Sequence, residues 1–170
     1  MTQIRTASYQ DIDTLTQVGK QAFYETFARH NTESDMQLYL SANFTNEKLK
    51  QEFEDNNSHF YVAEHEEEVA GYVKLRTGEE PIELKGRKHI EIERIYVLSQ
   101  FQGKQIGKEL MAASIEMARQ KGCEVLWLGV WEHNQKAIQF YQKWGFEIFG
   151  SHGFVLGTDQ QTDFLMKLEL

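Results

Sequence analysis

RIYVLSQFQGKQIGKELM, residues 94–111, runs from an apolar strand-like segment through a glycine-spaced polar turn into a helix. Ile106, Leu110, Ala113 and Met117 recur at helical spacing and make one face directed toward a sheet. Gln102, Gly103, Lys104, Gln105, Ile106, Gly107 and Lys108 form the approach to that helix and its first turn. Unpaired N–H groups and the positive end of the helix dipole favour an anion there, a phosphate above all. Gly103 and Gly107 allow close approach, and Lys104 and Lys108 add positive charge. The same spacing also suits an ordinary strand-to-helix connection. A P-loop needs a Ser or Thr after its Gly-Lys, and Gly107-Lys108 is followed by Glu109. The dinucleotide G-x-G-x-x-G is absent. A different phosphorylated ligand is implied.

Working upstream, Ile90 and Ile92 share one phase of a two-residue period, while Ile95 and Val97 occupy the other, so the phase slips between Glu93 and Ile95. An inserted residue of this kind marks a β-bulge, which twists a strand and leaves backbone groups without ladder partners. A strand with one polar face and an amphipathic end would show the same pattern. Working downstream, the spacing predicts a strand over 89–98, a helix over 105–121 and a strand over 124–130, a βαβ unit with parallel strands. A helix over 134–143 follows, with Asn134 as N-cap, Ala137, Phe140, Tyr141 and Trp144 on one face, and Gly145 as its end. Tyr141 therefore points inward with a hydroxyl that needs a partner, as a packing tyrosine also would. Strands over 146–152 and 154–168 complete the chain.

The first half reads as a strand at 4–7, a Ser8/Asp11 capping box, a helix carrying Ile12, Leu15, Phe23 and Phe27 on one stripe, and one or two helical segments over 34–55. HFYVAEHEEEVAGYVKLR, residues 59–76, reads as a hairpin turning at the acidic run Glu66–Glu68, although Asn-Gly is missing. The polar stretch around Pro81 is a loop between strands. The predicted fold class is α/β (α+β), a mixed sheet in one domain spanning 1–170.

The 170 residues carry a net charge of −8, with 41% hydrophobic and 12% aromatic residues, enough to bury one core. An acidic chain lacks the electrostatic footprint for nucleic acid or anionic lipid. No run approaches a membrane span or a signal core, and a single cysteine, Cys123, supports no disulfide framework, so a cytoplasmic protein is expected. Cys123 reads as a small core residue. The six histidines are scattered without ligand spacing, and no metal is expected.

Together, EIERIYVLSQFQGKQIGKELM (91–111) and NQKAIQFYQKWGF (134–146) resemble the two signature segments of the GNAT acetyltransferase superfamily. IERIYV, WLGVWEHN, AIQFY and QTDFLM are similar to the PaiA type of spermine/spermidine acetyltransferases. The resemblance implies the GNAT fold, a twisted sheet of about seven strands flanked by helices, with a bulged and splayed central strand. It also implies acetyl-CoA as cosubstrate. The diphosphate would sit on amides of Gln102 to Lys108, the pantetheine arm would pair with backbone at Ile95, Tyr96 and Val97, and Asn134, Ala137 and Tyr141 would line its other side. In the family's turn, Gln105 stands where a glycine is usual; a helical position of this kind is expected to need no positive φ.

An alkylammonium of pKa about 10.4 must lose a proton before it attacks. By resemblance, Glu93 is the first candidate base, through water, Glu91 is the second, and Tyr141 is the acid that protonates the leaving thiolate. Both glutamates could instead be solvated or paired with Arg94 or Lys74. The expected acceptor is a small primary amine, with polyamines favoured, on a monomer or homodimer. A protein N-terminus, a lysine side chain or an amino sugar is the alternative within the class, and a non-catalytic CoA-binding sensor the alternative outside it. The acceptor end is expected near Tyr24, Glu25, Phe27, Glu33 and Asp35.

Overall fold

In the computed structural model, which describes residues 1–170, the chain forms seven strands and five α-helices. In order they are β1 (Thr2–Thr6), α1 (Ile12–Phe27), α2 (Glu33–Asn43), α3 (Asn46–Glu54), β2 (Ser58–His65), β3 (Glu68–Arg76), β4 (His89–Val97), α4 (Ile106–Gln120), β5 (Val125–Trp131), α5 (Gln135–Lys143), β6 (Glu147–Leu156) and β7 (Asp159–Glu169). One sheet holds all strands in the order β1-β2-β3-β4-β5-β7-β6. Only β4 and β5 run parallel, joined by α4 as the βαβ spacing requires.

Local chemistry sets the helix starts. The Asp11 carboxylate accepts from the Ser8 N–H at 2.7 Å and from its hydroxyl at 3.1 Å, the expected capping box, before α1 begins. Thr32 and Thr45 accept from the N–H groups of Asp35 and Lys48, so the 34–55 segment is two helices rather than one. Neighbouring residues of β4 meet helices on opposite faces of the sheet. Tyr96 faces Phe44, the residue after α2, whereas Val97 lies near Gly107 of α4. Leu15, Leu110, Leu126 and Leu128 are at most 1% exposed, and each contributes about 1.5–3 kcal/mol by burial.

Two turns differ from expectation. The last hairpin turns at Gly157–Thr158, not near Gly153, because Gly153 is paired with Thr162 inside the ladder while Gly157 has φ +63°. The β2–β3 hairpin does turn in the acidic run, but Glu66 and Glu67 adopt φ of +52° and +68°, the left-handed region that Asn-Gly would occupy at lower cost.

Candidate active site

The β4–β5 ladder pairs His89 with Val125, Ile90 with Leu126, Glu91 with Trp127 and Ile92 with Leu128, and then stops, although both strands continue. On its other edge, β4 pairs Ile92 with Leu75 and Arg94 with Lys74, which leaves Glu93 as the inserted residue. The bulge therefore lies where the sequence phase slips, and the strands part immediately beyond it. The Leu98 N–H bonds to the Ala70 carbonyl, and the Tyr96 carbonyl faces Gly71 so closely that a Cβ there would come within 2.2 Å. By two-residue alternation, Ile95 and Val97 direct their N–H groups away from β3, into the parting.

The turn before α4 lies at the mouth of this parting. The amides of Gln102, Lys104 and Lys108 are engaged by the carbonyls of Ser99, Phe101 and Gln105, whereas those of Gly103, Gln105, Ile106 and Gly107 have no protein acceptor. The cradle is thus narrower than the whole Gln102–Lys108 stretch. Gln105, contrary to expectation, is the helix N-cap and has φ +65°. The chain reverses into the helix at this residue, so the position does require the conformation a glycine provides, and glutamine holds it at a cost. A Cβ on Gly107 would meet Phe140 at 3.7 Å and Val97 at 3.9 Å, which places α4, α5 and β4 together around the mouth. Lys136 of α5 donates to the Gln102 side chain at 2.6 Å.

Beyond β5, Asn134 caps α5, its side chain accepting from the Ala137 N–H at 3.3 Å. Tyr141 is buried against Phe140 and Phe146, and its hydroxyl makes no hydrogen bond within the protein. Burial pushes its pKa up, so the phenol stays protonated at neutral pH.

Beneath α1 and α3, three acids alternate with three bases. Lys74, 3% exposed, contacts the Glu93 carboxylate and lies 3.2 Å from Glu52. Arg94 grips Glu52 in bidentate fashion at 2.6 and 2.7 Å. Arg76 donates to Glu91 at 2.6 Å and lies 3.5 Å from Glu93. Burial pushes the Glu91 carboxyl up despite Arg76. Burial works in the same direction on Glu52, but Arg94 and Lys74 outweigh it and hold its pKa below the usual range. Burial also raises Tyr72 to about 12 and Tyr96 well above the phenol range.

An aromatic wall stands next to this network. Phe27 packs on Trp131 and Phe154, with centroids 5.4 and 6.4 Å apart, and Tyr39 packs on Phe154 at 5.6 Å. Burial raises the Tyr39 phenol, and Arg94, Asp163 and Glu93 all act on it electrostatically. Glu91 pairs with Trp127, and two-residue alternation puts Gly129 and Trp131 on that same face of β5, so the charged network and the wall share one face of the sheet, on either side of the cleft that opens where β4 and β5 part.

The sequence matches the Acetyltransferase (GNAT) family over residues 20–146. The chain belongs to the GNAT acetyltransferase family. It is 39% identical over 163 residues to an uncharacterised N-acetyltransferase of Lactobacillus delbrueckii subsp. lactis, with 96% of this chain and 94% of that one covered. It is 25% identical over 169 residues to the spermidine N(1)-acetyltransferase of Thermoplasma acidophilum, with 97% and 95% covered. The crystal structure of PaiA N-acetyltransferase from Thermoplasma acidophilum in complex with coenzyme A superposes with a TM-score of 0.82 at 22% identity, covering 100% of this chain and 99% of that one. The fold is the GNAT fold, and the protein is an acetyl-CoA-dependent acyltransferase. No helix is long and apolar enough to cross a membrane. No group of three or more His, Cys, Asp or Glu side chains is placed to hold a metal ion.

Within this GNAT frame, Glu93, Ile95 and Val97 lie at the parting, the 102–108 turn meets β4 and α5 through Gly107, Val97 and Phe140, Asn134 and Tyr141 lie at the start of α5 and within it, and Glu91 lies one pair inside the zipped section. Of the residues expected at the acceptor end, Phe27 lines the cleft. Glu25 instead accepts from the Ser99 N–H at 2.9 Å, Tyr24 donates to Glu33 at 3.3 Å, and Asp35 accepts from Thr158 at 2.7 Å, so these hold loops and helices in place. Sequence reading missed Tyr39, Glu52, Trp131, His152 and Asp163. The alternation in QTDFLM could have placed Asp163 on one face of a strand, but its neighbours depend on a register that only the fold supplies.

Proposed function

We propose that this GNAT enzyme acetylates a primary amine of a small polyamine, spermidine or spermine, in the cytoplasm. The observation that carries the reading is the parting of β4 from β5 after Ile92–Leu128, next to the four free amides at the start of α4. An extended arm fits such a parting by adding strand-like hydrogen bonds, and a diphosphate fits unpaired amides at a helix start. Ile95 and Val97 would hold the arm, Gly103, Gln105, Ile106 and Gly107 the diphosphate, and Lys104 and Lys108 would add charge. Asn134 and Ala137 would flank the arm on the α5 side. The polyamine reading draws support from the net charge of −8 and from the spermidine acetyltransferase relative. The buried, unbridged thiol of Cys123 suits a reducing compartment.

Bound acetyl-CoA supplies an acetyl group activated as a thioester. Glu93, at the bulge, takes a proton from the ammonium through a bridging water, with Glu91 as the second candidate. An N–H of the Ile95–Val97 segment faces the oxygen on which negative charge develops. Tyr141 supplies a proton to the departing sulfur. An ammonium loses two protons on becoming an amide: one passes through Glu93 to solvent, and the other restores Tyr141. Because burial raises the Tyr141 pKa, complete transfer to a free thiolate of pKa about 8.5 is uphill. Its hydroxyl therefore passes its proton to sulfur as the C–S bond opens and is restored by the second amine proton in the same step, so that no separate tyrosinate forms.

Steady-state assays with acetyl-CoA and a panel of spermidine, spermine, a lysine peptide, an N-terminal peptide and an amino sugar test this reading. The expected result is the highest kcat/KM for the polyamines, and a Tyr141→Phe rate lower by about 10²-fold with coenzyme A affinity unchanged. Equal rates on every amine would remove the polyamine preference. Unchanged turnover in Tyr141→Phe would remove the acid.

A further inference from the structure

We propose that Asp163, steadied by His152, is the anchoring site for the second positive charge of the acceptor, and so selects di- and polyamines over monoamines. The inference rests on the polyamine reading above and deepens it by naming the residue that sets the preference.

Asp163 lies on β7 opposite Trp131 of β5 and opposite His152 of β6. Its side chain is 16% exposed, and its one ionic neighbour is His152 Nε2 at 3.5 Å, with that ring half exposed. Burial pushes the Asp163 carboxyl up and the histidine opposes this. No guanidinium, ammonium or backbone N–H bonds to it. The other carboxylates of the cleft are committed: Glu52 to Arg94 and Lys74, Glu91 to Arg76, and Glu93 to Lys74 with Arg76 nearby. That network has as many cations as anions, so it offers an incoming ammonium little net attraction. Asp163 is the carboxylate in the cleft that a cationic ligand can approach without displacing a lysine or arginine.

Its position suits this role. Gly129 follows Leu128, the last residue of β5 paired with β4, and a Cβ on it would lie 3.5 Å from the Asp163 carboxylate and 3.7 Å from the His152 ring. The absence of a side chain there leaves bare backbone between the carboxylate and the start of the parting. Trp131, paired with Asp163 across the β5–β7 ladder, packs on Phe27, and both Phe27 of α1 and Tyr39 of α2 pack on Phe154. One end of a flexible diamine can reach the parting beside Glu93 while its other ammonium rests on Asp163, against the aromatic wall of Phe27, Tyr39 and Phe154.

The test compares wild type, Asp163→Asn and His152→Gln, with spermidine and butylamine as acceptors. Binding of spermidine to the coenzyme A complex is measured by calorimetry alongside kcat/KM. Asp163→Asn should weaken spermidine binding by about 10- to 100-fold, the effect of losing a charged hydrogen bond. The kcat/KM preference for spermidine over butylamine should fall by a similar factor, while coenzyme A affinity stays within twofold and so reports an intact fold. His152→Gln should lower the same preference by less. If wild type binds and acetylates spermidine and Asp163→Asn does so equally well, the anchoring role is overturned while the polyamine reading stands. If wild type neither binds nor acetylates spermidine, the polyamine reading falls and this inference falls with it.

Discussion

Lys74 and Glu93 form an ion pair inside the bulge of β4, with the lysine 3% exposed and Glu52 at 3.2 Å on its other side. The pair links the inserted residue that opens the sheet to a helix, α3, that covers it. Removing the cation would leave three carboxylates, Glu52, Glu91 and Glu93, against two guanidiniums, Arg76 and Arg94, so one buried negative charge would stand uncompensated beneath that helix. Lys74→Met should therefore destabilise the protein by about 3–5 kcal/mol in urea unfolding. Glu93→Gln leaves Lys74 paired with Glu52 and should cost only about 1 kcal/mol, while lowering turnover by 10²-fold or more if Glu93 is the base. Equal losses of stability in the two variants would contradict the arrangement.

Gln105 holds φ +65° at the N-cap of α4. Relief of that strain in Gln105→Gly is offset in part by the greater freedom of glycine in the unfolded chain, leaving a net gain of up to about 1 kcal/mol. For a chain of this size the melting temperature should rise by about 2–4 °C. Coenzyme A affinity should be retained, because the cradle is backbone.

The same reasoning applies to Glu66 and Glu67, both in the left-handed region at the β2–β3 turn. The double substitution Glu66→Asn with Glu67→Gly should stabilise by about 1–2 kcal/mol in denaturant titration. The contact it removes, His65 to Glu66 at 3.7 Å, is long and its glutamate is exposed, so it is worth little.

Asp11 predicts an acid limb. Its hydrogen bonds from Arg5, helped by those from Ser8 and opposed by burial, lower its pKa from 3.8 to about 2. A carboxyl depressed by folding adds stability that is fully present above its unfolded pKa and is lost as pH falls from about 4 toward 2. Urea unfolding between pH 6 and pH 2 should show this loss, and Asp11→Asn should flatten it. Glu169 is depressed in the same direction by Arg87 and Lys167, but it is solvent-exposed and screened, so Glu169→Gln should change the limb much less.

How far the sequence was legible follows from the range of the forces involved. The α4 helix, its turn, the α5 cap at Asn134 and the bulge at Glu93 are encoded by neighbours a few residues apart, and spacing revealed them. The Gly157 turn was misplaced because Gly153 offered a competing break, and the choice between them depends on register with Thr162 and Asp159. The left-handed Gln105 was missed because nothing in side-chain chemistry announces it. Asp163 and His152 meet only across β6 and β7, and Glu52 reaches Arg94 from 42 residues away, so composition and period carry no trace of either.

The central claim is that coenzyme A enters where β4 leaves β5 and is tethered by free amides at the start of α4. Amide-resolved NMR of the protein titrated with coenzyme A tests it most directly. The largest shifts should fall on Ile95 and Val97 and on Gly103, Gln105, Ile106 and Gly107. Saturating coenzyme A that leaves these six amides unmoved, or moves a different surface instead, would contradict the account.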